Sequence, residues 1–222
     1  MNLLRTAMQQ AKAGPPLVTG SFNLTANTNA AGITWDGFNF WCADNVTNAI
    51  FQYNTNGIYT GFSFSTAAEH ASTRDVTINV SNLAVVGNTS DTVTRWSKLG
   101  ANLGVIFAVT PEDDQALGVD FDGVNFWVCG FTNLRVYKYD SLGIYTGISF
   151  SISGETVNPR GVSSINNDLW VAGTVEDKVF KYSKSGVYSG ISVATAALPM
   201  GCLAIDNSLW VVNGNVATEH AI

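Results

Sequence analysis

Four aspartates could act as paired carboxylates: Asp36, Asp120, Asp122 and Asp206. Two facing carboxyl groups can cleave a glycosidic bond, one as acid and the other as base or nucleophile. Asp36 and Asp122 each precede a glycine and Asp206 precedes Asn207, so all three read as turn residues. Only Asp120 falls within a strand-like run, and one inward carboxylate cannot divide the two roles. His70 and His220 have no partner at metal-ligand spacing, and no Gly-x-Ser-x-Gly elbow occurs. Glu112-Asp113-Asp114 lacks the alternating oxygens and glycine of a calcium loop and reads as a solvated loop. Cys42, Cys129 and Cys202 show no metal spacing and read as free core thiols. The expectation is no catalytic set, no metal and no cofactor, hence no enzyme.

The elements that carry these residues repeat. Gly32-Ile-Thr-Trp-Asp-Gly-Phe-Asn-Phe-Trp41 returns as Gly118-Val-Asp-Phe-Asp-Gly-Val-Asn-Phe-Trp127. Repeats start at Gly32, Asp75, Gly118 and Gly161, 43 residues apart, and again at Gly201 after 40. A period of this length marks a β-propeller built blade by blade. Within the third repeat, short β-rich runs such as Asn125–Cys129 and Arg135–Tyr139 alternate with Gly, Asp and Asn turns. That pattern predicts a four-stranded antiparallel meander. The second repeat keeps Gly100 and Gly104 but has Ala84 where the others have Trp.

The fifth repeat ends after three strands, and Val18-Thr-Gly-Ser-Phe22 resembles the missing fourth, as in Tyr59-Thr-Gly-Phe-Ser63. The C-terminal 22 residues and the 18 from Gly14 to Ala31 together make one 40-residue unit. The prediction is an all-β, five-bladed propeller with blades at about 32–74, 75–117, 118–160, 161–200, and 201–222 plus 14–31. An N-terminal strand then completes the last blade and closes the ring, which leaves no open edge between first and last blades. Residues 1–13 fall outside the repeat. Leu3, Leu4, Ala7, Met8 and Ala11 would share one face of a short helical arm. So short a helix needs a surface, either its own propeller or a neighbouring subunit.

On this frame the binding chemistry can be placed. Arg74 and Arg160 each immediately precede a repeat, where they can face the mouth of the central channel. There they would bind an anionic ligand or a partner's carboxylates; the competing reading bonds each to carbonyls of the next blade. Trp41, Trp127, Trp170 and Trp210 recur at one position, as packing between blades demands. Trp35 and Trp96 break the pattern and are the candidates for stacking on sugars, beside Asn and Asp side chains that bond hydroxyls.

Composition removes other partners. Charged residues are 13% of the chain, about half the usual share, and the net charge is −6 with no basic run. Nucleic acid is therefore not expected. No stretch reaches membrane-spanning length, and residues 1–13 lack the apolar run of a secretory signal.

The run Asn158-Pro-Arg-Gly-Val-Ser-Ser-Ile-Asn-Asn-Asp-Leu-Trp-Val-Ala-Gly173, followed by Lys178-Val-Phe-Lys-Tyr182, resembles the NHL type of propeller repeat. The doubled-aromatic version, Trp-Asp-Gly-x-Asn-Phe-Trp with Gly-Ile-Tyr-Thr-Gly-x-Ser-Phe-Ser, is most similar to propeller repeats in structural and fibre proteins of marine bacteriophages. The resemblance implies a structural or interaction propeller in a phage tail, fibre or vertex. Its partners would be other virion proteins or copies of itself, with host-surface glycan as a further one. Its place would be the virion, or alternatively the cytoplasm. A carbohydrate-binding propeller is the alternative function, and a glycoside hydrolase a lesser one.

Overall fold

The protein is described by a computed structural model over residues 19–222. The expected arm, with Leu3, Leu4 and Met8, lies outside the described residues. The rest forms five four-stranded antiparallel sheets in a ring. The short strand β1 (Ser21–Asn23) belongs to the last sheet. Blade 1 is β2 (Ala30–Trp35), β3 (Asn39–Asp44), β4 (Ala49–Asn54) and β5 (Tyr59–Ser65). Blade 2 is β6 (Thr73–Asn79), β7 (Asn82–Gly87), β8 (Thr92–Trp96) and β9 (Asn102–Ala108). Blade 3 is β10 (Ala116–Phe121), β11 (Asn125–Gly130), β12 (Arg135–Asp140) and β13 (Tyr145–Ser151). Blade 4 is β14 (Pro159–Ile165), β15 (Asp168–Gly173), β16 (Lys178–Ser183) and β17 (Tyr188–Ala194). Blade 5 is β18 (Pro199–Ile205), β19 (Ser208–Asn213), β20 (Val216–Ala221) and then β1, with Phe22 opposite Ala217. The N-terminal strand closes the ring.

Sequence dictates which strand lies inside. In β2 and β10 every residue is buried, whereas β5 and β13 alternate polar with half-covered side chains. A Cβ on Gly161 would come within 2.8 Å of Gly201 Cα, and one on Gly201 within 2.8 Å of Gly32 Cα. These inner strands therefore meet backbone to backbone, an approach that favours glycine.

The core is not in the blades but between them. Trp41 packs with Val76, Ile78 and Leu83 of the next blade, and Trp170 with Cys202, Ala204 and Leu209. Trp210 meets Phe22 and Phe40 at the closing seam, with ring centroids 5.5 and 5.4 Å away. Burying a large aromatic in each seam supplies the apolar area that a two-sided blade cannot bury alone. All three cysteines are free and buried.

Antiparallel alternation gives the ring two faces. One carries the turns within each blade, between first and second and between third and fourth strands. The other, here the loop face, carries the longer connections that enter each inner strand.

Candidate functional site at the channel mouth

Each inner strand breaks register with its neighbour near its start: between Ala30 and Gly32, Thr73 and Asp75, Ala116 and Gly118, Pro159 and Val162, and Pro199 and Gly201. Bulges of this kind re-aim a side chain. The residues at these breaks are Ala31, Arg74, Leu117, Arg160 and Met200, of which Ala31 and Leu117 are buried, Leu117 in the core between blades 3 and 4. Three of these are apolar and two are guanidinium groups.

Arg74 and Arg160 are half-buried, and the Nε of each is buried without an acceptor. Ion pairs among the described residues use Lys98, Lys181 and Lys184, not these arginines. Arg135, by contrast, bonds Ser149 through Nε and Nη2. The competing expectation, carbonyls of a neighbouring blade as acceptors, does not hold for either Nε among the described residues. Burial, and then the charge of Arg160, pull the Arg74 guanidinium below its ordinary pKa; burial does the same to Arg160. The two arginines come from blades 2 and 4, with blade 3 between, and the charge of Arg160 bears on Arg74. Asn88, Asn158 and Asn213, at the same end of the ring, also hold buried amide atoms without partners.

Several carboxylates of the loop face have partners of their own. Tyr139 and Tyr182 donate their hydroxyls to Glu112 and Glu155, and Thr156 donates to Glu176. Asp113 is 2% exposed, so the expectation of a solvated loop is corrected at that residue, while Asp114 is exposed and Glu112 half-buried. Its carboxylate accepts from Tyr137 Oη and from the backbone of Gln115, Thr132 and Asn133, which fastens one loop to the next. His70 takes the corresponding place in blade 2, between Ser90 and Thr94.

Inside the ring the sequence reading undercounted. Asp120 is buried, with Oδ1 accepting from Thr77 Oγ1 at 2.7 Å and Oδ2 from the Ser164 backbone N–H at 2.7 Å and from its hydroxyl. It thus clasps blades 2, 3 and 4. A second inner carboxylate, Asp75, stands where the other blades have glycine and accepts from Val119 N at 3.1 Å and Val76 N at 2.9 Å. Its deviation from glycine was the available signal. Asp36 and Asp122 lie at turns on the opposite face, as expected. Trp35 and Trp96 are 1% and 4% exposed, so neither presents a ring to a sugar. Trp35 packs on Phe40 at 4.7 Å, and Trp96 stacks on Phe64 at 5.4 Å in the place of a tyrosine.

The turn face differs in chemistry. Phe38, Val80 and Val124 protrude from its inner turns, and Ile58, Leu99, Leu142, Ile144 and Val187 from its outer ones, Leu99 being 86% exposed. Its lysines are neutralised within the chain, Lys98 by Asp36 and Lys184 by Asp122.

Comparison with known proteins establishes the architecture. No protein-family model and no curated protein sequence matches. Among solved structures, glutaminyl cyclase of Myxococcus xanthus is similar at a TM-score of 0.69 and 10% identity, over 91% of this chain and 94% of that one. Virginiamycin B lyase from Staphylococcus aureus is similar at 0.57 and 13%, over 87% of this chain and 66% of that one. The chain therefore spans just under two thirds of that lyase. A chain of a nidogen/laminin complex is similar at 0.59 and 10%, over 84% and 73%. These identities speak for the fold alone. They nonetheless correct the expectation of no enzyme: two neighbours are named as enzymes, so lacking a familiar motif excludes no activity on such a ring. The chain is a β-propeller whose structural neighbours include a lyase, a cyclase and a chain from a protein–protein complex.

Proposed function

We propose that this propeller is an interaction module of a virion, docking through its turn face onto a copy of itself. The observation that carries this reading is the set of eight large apolar side chains exposed on the turns of one face. Large apolar side chains gathered on one face of a ring favour an interaction surface there. A second copy fits because the face is self-complementary: apolar tips meet apolar tips, and Lys98 and Lys184 are already paired within each chain. Placement in a phage tail, fibre or vertex is supported by the doubled-aromatic flavour of the repeats.

Light scattering across a concentration series tests the contact. The expected result is reversible self-association of the full chain, lost when Leu99→Ser and Leu142→Ser are combined. A wild type that stays monomeric throughout, or a double variant that associates equally well, overturns it. Binding to a different virion protein through unaltered tips would likewise replace self-docking.

A further inference from the structure

We propose that the channel mouth on the loop face is an oxyanion site, in which Arg74 and Arg160 hold one phosphate or carboxylate group between them. The site lies on the face opposite the apolar tips and stands independently of the docking reading.

The argument begins with what the fold requires at this position. Leu117 and Met200 occupy the equivalent place in blades 3 and 5, and Ala31 in blade 1. An apolar residue therefore satisfies the architecture, and arginine is not needed for it. Two blades nevertheless bring half-buried guanidinium groups to one mouth, each with a buried Nε that has no acceptor among the described residues. Like charges removed from water and left unpaired oppose folding. On the same face Glu112, Asp113, Glu155 and Glu176 each have their own hydroxyl or backbone partners. Two arginines and two inner carboxylates, Asp75 and Asp120, thus share the ring, and the carboxylate oxygens accept from Val76, Val119, Thr77 and Ser164.

An anion with several oxygens fits this arrangement. A guanidinium is a rigid fork of donors matched to carboxylate and phosphate, and two forks can share one such group. Asn213 adds an amide whose oxygen and nitrogen are both unpartnered. Phosphate and carboxylate ligands share this chemistry, so separate titrations distinguish them.

The test is calorimetric titration of the full chain with inorganic phosphate, and separately with succinate, at constant ionic strength in chloride. At least one should bind saturably. Arg74→Met or Arg160→Met should weaken it by about tenfold or more, the loss of one charge-assisted pair. Arg160→Lys, which keeps the charge but not the fork, should fall between. Both methionine variants should melt no lower than wild type in anion-free buffer, because blade 5 already carries Met200 there. Binding of phosphate alone would identify a phosphoryl ligand, and binding of succinate a carboxylate. Absence of saturable binding, equal binding by Arg160→Met, or methionine variants that melt lower without anion would each overturn the site.

Discussion

Lys98 Nζ lies 2.7 Å from Asp36 Oδ2 and ties blade 2 to blade 1. Lys184 repeats the bond to Asp122 at 2.8 Å, from blade 4 to blade 3. Each carboxylate also serves its own blade. Asp36 accepts from the backbone of Phe38 and Asn39 and from Trp41 Nε1, and Asp122 from Val124, Asn125 and Trp127 Nε1. Burial alone would raise the Asp36 pKa, but Lys98, Trp41 and the turn N–H groups outweigh it and hold the carboxyl below its ordinary value. Blades 4 and 5 have Ile165 and Ile205 at this position, and there the indoles of Trp170 and Trp210 are buried without an acceptor.

If one carboxylate carries turn, seam and indole together, its removal costs more than removal of the lysine. Asp36→Asn should destabilise by about 2 kcal/mol and Lys98→Met by about 1 kcal/mol. A double-mutant cycle in urea should return a coupling of about 1 kcal/mol. Zero coupling would reduce the bridge to a surface contact, while Asp122 with Lys184 provides an internal replicate.

The ring was legible because its signals are local and repeated. Glycines at Gly32, Gly118, Gly161 and Gly201 and the tryptophans from Trp41 to Trp210 each recur in step, and the split fifth unit announced its own closure. The seam bridge was not legible from either residue alone, since Asp36 and Lys98 stand 62 positions apart. A trace of it exists: Asp-Gly turns occur in blades 1 and 3, and lysine two places beyond the third-strand aromatic occurs in blades 2 and 4. Trp35 and Trp96 break the repeat in sequence, but an irregular position is not an exposed one. Trp96 simply replaces a tyrosine of the seam, and Trp35 takes the place held by Phe121 in blade 3, so both remain core.

Two glycines of blade 4 should fail for different reasons. An alanine Cβ at Gly161 would press to 2.8 Å on the backbone of Gly201 and Cys202, which cannot retreat without opening the ring. Gly190 has φ +78 and nothing within 4 Å of the added carbon. Gly161→Ala should therefore cost about 3 kcal/mol through overpacking, and Gly190→Ala about 1 kcal/mol through backbone strain. Thermal unfolding of both compares them directly. Equal losses would mean that inner-strand contact is not what sets the ring.

His70 should give the fold a pH dependence of definite sign. It is fully buried, with Nδ1 2.7 Å from Ser90 Oγ and Nε2 2.7 Å from Thr94 Oγ1. Thr94 spends its own proton on Val85 O and also accepts from Trp96 Nε1, which assigns the imidazole proton to Nε2. Burial lowers the ring's pKa from 6.5 to about 4. Between these values the unfolded chain takes up a proton that the folded chain refuses, so stability falls as pH drops from 6.5 towards 4. From neutral pH to pH ~5 the loss should be about 2 kcal/mol. His220, whose pKa burial also lowers, contributes in the same direction but remains in a His70→Gln variant. Urea midpoints at the two pH values should show a markedly smaller drop for His70→Gln than for wild type. An identical drop in both would show that the buried imidazole does not govern the acid sensitivity of the ring.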